Sequence, residues 1–316
     1  MKKTALIIIL MLLTLSSGAQ ESQTEYNFLR IPVSAHGAAL GGDNITIIED
    51  DASLMISNPA LLSSVSDKTI GLNFMNYMQG ANTASATFAK VLKERMSIGF
   101  AAQYMDYGKM KEMDENNVQT GKFSAKDIVA SGTLSYLLGK NIAGGITARF
   151  INSYIGNYNS LALGVDLGLN YYHPEKELSV SAVVKNLGGE LNAYDEEYGK
   201  MPLDIQLGVT KKLTGAPFRL SATLVDLNHL DQKFINHLVA GVDIIISPQL
   251  YVAGGYNFRR ASEMEIISDG EERGSSHGAG LSLGAGILLD RFKLNLAYGK
   301  YHVTSHSLII NVSFQL

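Results

Sequence analysis

Apolar and polar positions alternate with a period of two through most of the chain after residue 68. The clearest run is Leu161, Leu163, Val165, Leu167, Leu169 and Tyr171, interleaved with Ala162, Gly164, Asp166, Gly168 and Asn170. Successive side chains of a strand point to opposite faces, so this run predicts a strand with one apolar face and one small or polar face. The pattern recurs in Leu178-Val180-Ala182-Val184, Ile205-Leu207-Val209, Leu238-Ala240-Val242-Ile244-Ile246, Leu281-Leu283-Ala285-Ile287-Leu289 and Leu308-Ile310-Val312-Phe314-Leu316. It predicts strands near 69–79, 81–92, 94–107, 123–138, 141–155, 158–173, 176–187, 202–213, 217–228, 234–247, 249–260, 275–289, 291–300 and 303–315.

The predicted connections fall into two sets. One is tight: Leu92-Lys93-Glu94, Gly139-Lys140, His173-Pro174-Glu175, Thr214-Gly215-Ala216, Pro248 and Asp290. The other consists of polar excursions over 108–122, 188–201, 229–233 and 261–274. The sets are expected to alternate strictly, as in an up-and-down barrel with short periplasmic turns and longer outer loops. The sequence therefore predicts an all-β fold, a transmembrane antiparallel up-and-down β-barrel of about fourteen strands over 67–316. Its apolar faces are expected to meet lipid and its small polar faces to line the lumen. Tyr104, Tyr107, Tyr154, Tyr158, Tyr171 and Tyr172 near strand ends suit interfacial girdles, although tyrosine also favours strands in general.

Residues 20–66 lack this order and are rich in Ala, Gly, Ser and Asp. One or two short helices are expected over 50–62, with Asn58-Pro59 as a turn or cap. In a barrel this segment would lie in the lumen or close its periplasmic mouth. Residues 1–19 read as a secretory signal, with Lys2 and Lys3, an apolar run over 5–15, and Ser17-Gly18-Ala19 as the cleavage site. The expected location is the bacterial outer membrane, in contact with its lipid and lipopolysaccharide.

Composition agrees with that reading. Apolar residues make up 46% of the chain and charged residues 18%, against about 25% charged in ordinary globular chains. With no Cys, disulfide staples and thiolate chemistry are excluded. A net charge of −4 gives no reason to expect nucleic acid as a partner.

Enzyme signals are weak. Gly274-Ser275-Ser276-His277-Gly278 fits G-x-S-x-G, but a nucleophile elbow needs a helix after the serine, and a strand is predicted there. The seven His show no metal-binding spacing, and no cofactor is expected. Alternation turns Arg149, Asp166, Lys185 and Asp243 toward the lumen, where they would pair with one another, contact Asp43, Asp50 or Asp51 of the plug, or simply be wetted.

The segment Arg30-Ile31-Pro32-Val33-Ser34-Ala35-His36-Gly37-Ala38-Ala39-Leu40-Gly41-Gly42, followed by Asp51-Ala52 and Asn58-Pro59-Ala60-Leu61, resembles the N-terminal signature of the PorV/PorQ family. Val184-Lys185-Asn186-Leu187-Gly188, Pro202 with Leu207-Gly208-Val209, and Gly254-Gly255-Tyr256 extend the resemblance along the chain. It implies a fourteen-stranded barrel related to fatty-acid channels. It also implies an accessory role in type IX secretion in Bacteroidota, with the modest loops closer to PorQ. Arg30, Pro32, Gly41, Gly42, Asn58, Pro59 and Ala60 would then carry the plug motif. The partners implied are a PorZ-like surface protein and other attachment-complex proteins such as PorU and PorV. Candidate docking residues on the outer loops are Asp114, Glu115, Asp195, Glu196, Glu271, Glu272 and Arg273. The competing readings are a FadL-like channel for hydrophobic small molecules, suggested by the Gly-rich inner faces and the plug, and a membrane lipid hydrolase, for which no catalytic set is present.

Overall fold

The structure, a computed structural model, describes residues 24–195, 197–265 and 275–316. Fourteen antiparallel strands close into one barrel, each paired with its neighbours in sequence and β1 with β14. They are β1 (Thr69–Asn76), β2 (Asn82–Lys93), β3 (Met96–Met113), β4 (Gln119–Leu137), β5 (Ile142–Ile155), β6 (Tyr158–His173) and β7 (Leu178–Asn192). The second half holds β8 (Asp204–Lys212), β9 (Phe218–Leu224), β10 (Leu238–Ser247), β11 (Leu250–Asn257), β12 (Leu281–Leu288), β13 (Phe292–Gly299) and β14 (Ser307–Gln315). Closure leaves no unpaired edge, the condition for strands to sit in hydrocarbon.

The predicted strands are all found, but loop length is sorted less cleanly than expected. The excursion expected over 108–122 is mostly sheet, because β3 and β4 run on as a tall hairpin that turns over 114–118. The region expected as a loop over 188–201 begins as strand, to Asn192. One outer connection is only two residues long, with Ile155 paired to Tyr158. Long and short connections therefore do not alternate strictly. What differs between the halves is strand height: β3–β7 have 14 to 19 residues, β8–β14 have 7 to 10.

The apolar faces point outward. Leu72, Phe100, Leu134, Phe150, Leu163, Leu169, Leu207, Leu283 and Leu308 are all large, aliphatic or aromatic, and exposed. A monomeric soluble protein rarely exposes more than a few hundred Å² of contiguous apolar surface, whereas a bilayer requires a continuous belt. Tyr104, Tyr158 and Tyr171 are exposed with that belt, while Tyr107 turns inward and donates to Asp127 at 2.6 Å.

Inside lies the N-terminal segment. It holds a short 3₁₀ stretch at Asn27–Arg30, then α1 (Ala35–Ala39), and after α1 a first and a second 3₁₀ turn, Ala52–Ile56 and Pro59–Ser64. Helix α1 packs on β11–β14, and the second turn on β3–β6. Large side chains of this segment, among them Leu40, Ile47, Leu54, Met55, Leu61 and Leu62, are fully buried. The barrel therefore has a filled interior as well as an apolar exterior, a combination that the alternation alone does not specify.

Candidate functional site: the plugged lumen

The plug does not merely close the periplasmic mouth. Glu25 N donates to Lys200 O, and the Tyr26 hydroxyl contacts Ser160 and Glu190, both at the outer end of the wall. From there the chain descends past β11–β13, crosses β8 at Ile45-Thr46, and meets Lys293 near the opposite end through Asp50. Thus β1 and β14 both have their free ends on the side of the tight turns, yet Thr24 lies on the other side, bridged to Lys200.

Strand glycines make room for this path. A Cβ on Gly145 would overlap the backbone of Pro59 and Ala60, one on Gly168 the side chain of Asn58, and one on Gly255 the backbone of Leu40 and Gly41. The small inner faces expected from the sequence are therefore the imprint of the plug and not an open bore.

The motif residues hold the plug's shape. Ser34 caps α1 by accepting from Gly37 N, and the helix ends with Gly42 N donating to Gly37 O and Gly41 N to Ala38 O. This is a Schellman end: Gly41 stands at the position that demands positive φ, with 102°, and Gly42 after it has 103°. Asn58 accepts from Ala60 N and donates to Ile45 O and Ser181 Oγ. Pro59 opens the second 3₁₀ turn, where its missing N–H costs nothing. Ala60 O accepts from Ser135 Oγ at 3.2 Å. Pro32 lies against Gly42, and Arg30 sits beside Arg259, where burial first and repulsion from Arg259 second lower its pKa.

The four lumen charges all point inward, and the plug takes part in their pairing. Arg149 Nε donates to Asp166 Oδ2 at 2.8 Å, and its Nη2 to the plug carbonyl of Ile56 at 3.0 Å. Asp166 Oδ1 also accepts from Asn186 N, which sits at a break in the β6–β7 register. Asp243 accepts from Arg219 at 2.7 Å and faces His36 Nε2 at 2.7 Å, while His36 Nδ1 faces Glu49 at 2.9 Å. Two acids thus meet two bases in a largely buried site, roofed by Tyr251 stacked on the His36 ring at 3.9 Å. Burial opposes charge on His36, but Glu49 and Asp243 outweigh it and raise its pKa to about 9. Lys185 bears on Asp43, whose carboxylate accepts from Asn257 at 3.0 Å. Contact with the plug through Asp50 is found, but its partner is Lys293 at 2.5 Å. Asp51 instead caps the first 3₁₀ turn through Ser53 N. Sequence reasoning missed His36, Glu49 and Arg219 because nothing local marks them as one group.

Of the outer-loop candidates, Asp114 shapes the β3–β4 turn by accepting from Asn116 N and Val118 N, and Glu115 is exposed beside it. Asp195 lies in the loop after β7. Glu196, Glu271, Glu272 and Arg273 lie outside the described residues. In the G-x-S-x-G match, Ser276 O accepts from Ala279 N in a turn that leads into β12, so no helix follows the serine.

Between residues 28–33 of the plug and β1–β3 there is an apolar cavity of about 20 Å³, room for about one water. Phe28, Ile31, Val33, Met75, Met105 and Ile309 line it, with Asn73, Thr83, Ser85 and Gln103 among its polar groups. Among the described residues, Gln103 Nε2 is buried there without a hydrogen-bond partner.

Among solved structures, the Pseudomonas putida toluene transporter TodX superposes with a TM-score of 0.57 at 14% identity, over 90% of this chain and 97% of that one. CymD, a monoaromatic hydrocarbon channel, gives 0.60 at 11% identity, over 90% and 97%. A Pseudomonas aeruginosa FadL homologue gives 0.54 at 11%, over 90% and 98%. The fold is that of the FadL-type outer-membrane barrels. No family model and no curated protein matches the sequence.

Proposed function

We propose that this FadL-type barrel is an outer-membrane channel for hydrophobic small molecules, held shut by its own N-terminal segment. One observation carries the reading: the plug fills the lumen yet leaves, against β1–β3, a cavity lined by aliphatic and aromatic side chains with a single orphaned amide at Gln103. Its lining, though not its size, is that of a ligand cleft, mostly apolar with a few placed polar groups. At about 20 Å³ the cavity holds no ligand larger than water, so entry must displace residues 28–33. The fold shared with a toluene transporter and a monoaromatic hydrocarbon channel supports the same class of cargo. Uptake of labelled toluene or a labelled fatty acid should follow expression of this chain in a host lacking such a channel. Met105→Glu should reduce that uptake. Uptake that is the same with and without the chain rejects the reading.

A second reading, an accessory barrel of type IX secretion, is favoured by the outer rim. Met113 and Val118 at the tip of the tall hairpin, Tyr198 after β7, and Leu230 and Phe234 after β9 are exposed apolar side chains on the side away from the tight turns. Water gives no reason for apolar residues there, and a PorZ-like surface protein would cover them. If so, affinity purification from outer membranes should recover such a protein, and Leu230→Asp with Phe234→Asp should lose it. Equal recovery with both substitutions would remove the rim as the dock.

A further inference from the structure

The outward wall carries a defect in its apolar belt, on β5–β8. The pairing register aligns Gly144, Leu169, Ala182 and Leu207 in one row across four strands. Large and minimal side chains thus alternate across the row, and the missing bulk at Gly144 and Ala182 leaves a groove flanked by Leu167, Leu169, Val184, Ile205 and Leu207. Its volume is about 390 Å³, within the range of about 300–1,000 Å³ typical of ligand clefts. Elsewhere on this wall, Ile142, Ile146, Tyr171, Val180 and Val209 stand exposed and close the surface.

The chain on the tight-turn side of this groove is basic. Lys140 lies in the β4–β5 turn, Lys176 in the β6–β7 turn, and Lys211 and Lys212 at the end of β8. Lys211 takes the outward parity of Leu207 and Val209, and its ammonium is drawn to the turn by the carbonyl of Lys176. The acids here are Glu175 and Glu177, and Glu177 is held by Lys212 at 2.9 Å. Lys140, Lys176 and Lys211 therefore have no carboxylate partner among the ion pairs of the described residues. From Leu169 to the turn, and from Leu207 to Lys211, is four residues, about 13 Å at ~3.3 Å per residue. That is close to one leaflet of a hydrocarbon core about 30 Å thick.

We propose that this groove and its lysines form a binding site for one phospholipid of the periplasmic leaflet, with an anionic headgroup such as phosphatidylglycerol. An acyl chain lies over Ala182 between Leu169 and Leu207, and the phosphate sits at Lys176 and Lys211, with Lys140 beside it. The row supplies shape and the lysines supply sign: a neutral or zwitterionic headgroup would leave the charge excess unmatched. The site stands apart from the lumen and rests only on the tight turns facing the periplasm.

The test is native mass spectrometry of the full chain in mild detergent, with dioleoyl phosphatidylglycerol or dioleoyl phosphatidylethanolamine added. The intact barrel should hold one phosphatidylglycerol, in preference to phosphatidylethanolamine by roughly fivefold for each lysine engaged. Ala182→Phe fills the groove and should abolish the adduct. Lys176→Gln with Lys211→Gln should equalise the two lipids without abolishing binding. Ala86→Phe, on the outward face of β2, should change neither. Heat-modifiable gel mobility reports folding for every variant, and Ala182→Leu replaces Ala182→Phe if the latter fails to fold. An equal adduct in the filled variant, no lipid preference in the unaltered chain, or retention of lipopolysaccharide in place of phospholipid would overturn the site.

Discussion

Nε2 of His36, on the plug, lies 2.7 Å from Oδ1 of Asp243, on the barrel wall, although 207 residues separate them. Both side chains are essentially inaccessible, at 0% and 1% exposure. Removing one member of a buried charge pair leaves the other unmatched, at a cost of about 3–5 kcal/mol. Asp243→Ala should therefore destabilise the plugged state by that order, read as a lower denaturant midpoint. Asp243→Asn, which keeps a hydrogen-bond acceptor, should cost less. An unchanged midpoint in both would show that the pair contributes nothing.

The same pair sets a pH window. Glu49 and Asp243 hold the His36 pKa at about 9, above the ordinary 6.5, so its contribution is fully present below about 6.5 and lost as pH rises through about 9. Protection of the plug against proteolysis should fall across that interval. In His36→Gln the fall should disappear.

At the outer end a second group titrates lower. Burial first, then hydrogen bonding to and repulsion from Glu190, raise Glu25 to about 7. A raised carboxylate favours the folded form of residues 24–30 fully below its ordinary value of 4.5, and that support is lost as pH rises through about 7. Residues 24–30 should thus exchange amide hydrogens faster, relative to the intrinsic rate, at pH 8 than at pH 6. Glu25→Gln should flatten the difference.

Arg149 and Asp166 tie the plug to the wall through Ile56 O. Arg149→Met removes the cation and leaves Asp166 buried with Asn186 N as its one donor among the described residues. The loss should be about 3–5 kcal/mol. The double variant Arg149→Met with Asp166→Leu should recover part of it, because no uncompensated charge remains. A double variant less stable than the single would contradict the pairing.

The belt itself can be tested at Leu296, outward and exposed on β13, five residues from the β12–β13 turn. Leu296→Arg should cost about 2–4 kcal/mol in a bilayer, the penalty of a lipid-facing arginine near the midplane. Ala162 faces the plug and is fully buried. Ala162→Leu should instead weaken plug docking and leave insertion intact, measured by vesicle flotation beside protease protection.

Much of this molecule is written locally. Alternation over 161–171 placed β6, its lipid face and its inward Asp166 without reference to any other strand, because a side-chain period of two is a property of the extended backbone. Asn58-Pro59 marked a capped turn for equally local reasons: the amide accepts from Ala60 N, and proline needs no donor. The outward sign of the apolar faces followed from the sequence only jointly with the loops and the charge-poor composition.

Tertiary structure alone decided the rest. His36, Glu49, Arg219 and Asp243 are spread over more than 200 positions, and only closure of the barrel around the plug brings them within hydrogen-bond reach. The Gly-rich inner faces look alike whether they line a bore or admit a plug, since an absent side chain does not say what fills its place. The groove over Ala182 likewise exists only once the register sets four strands side by side. Local periodicity fixes which way a side chain points; what it meets depends on partners whose distance along the chain carries no signal.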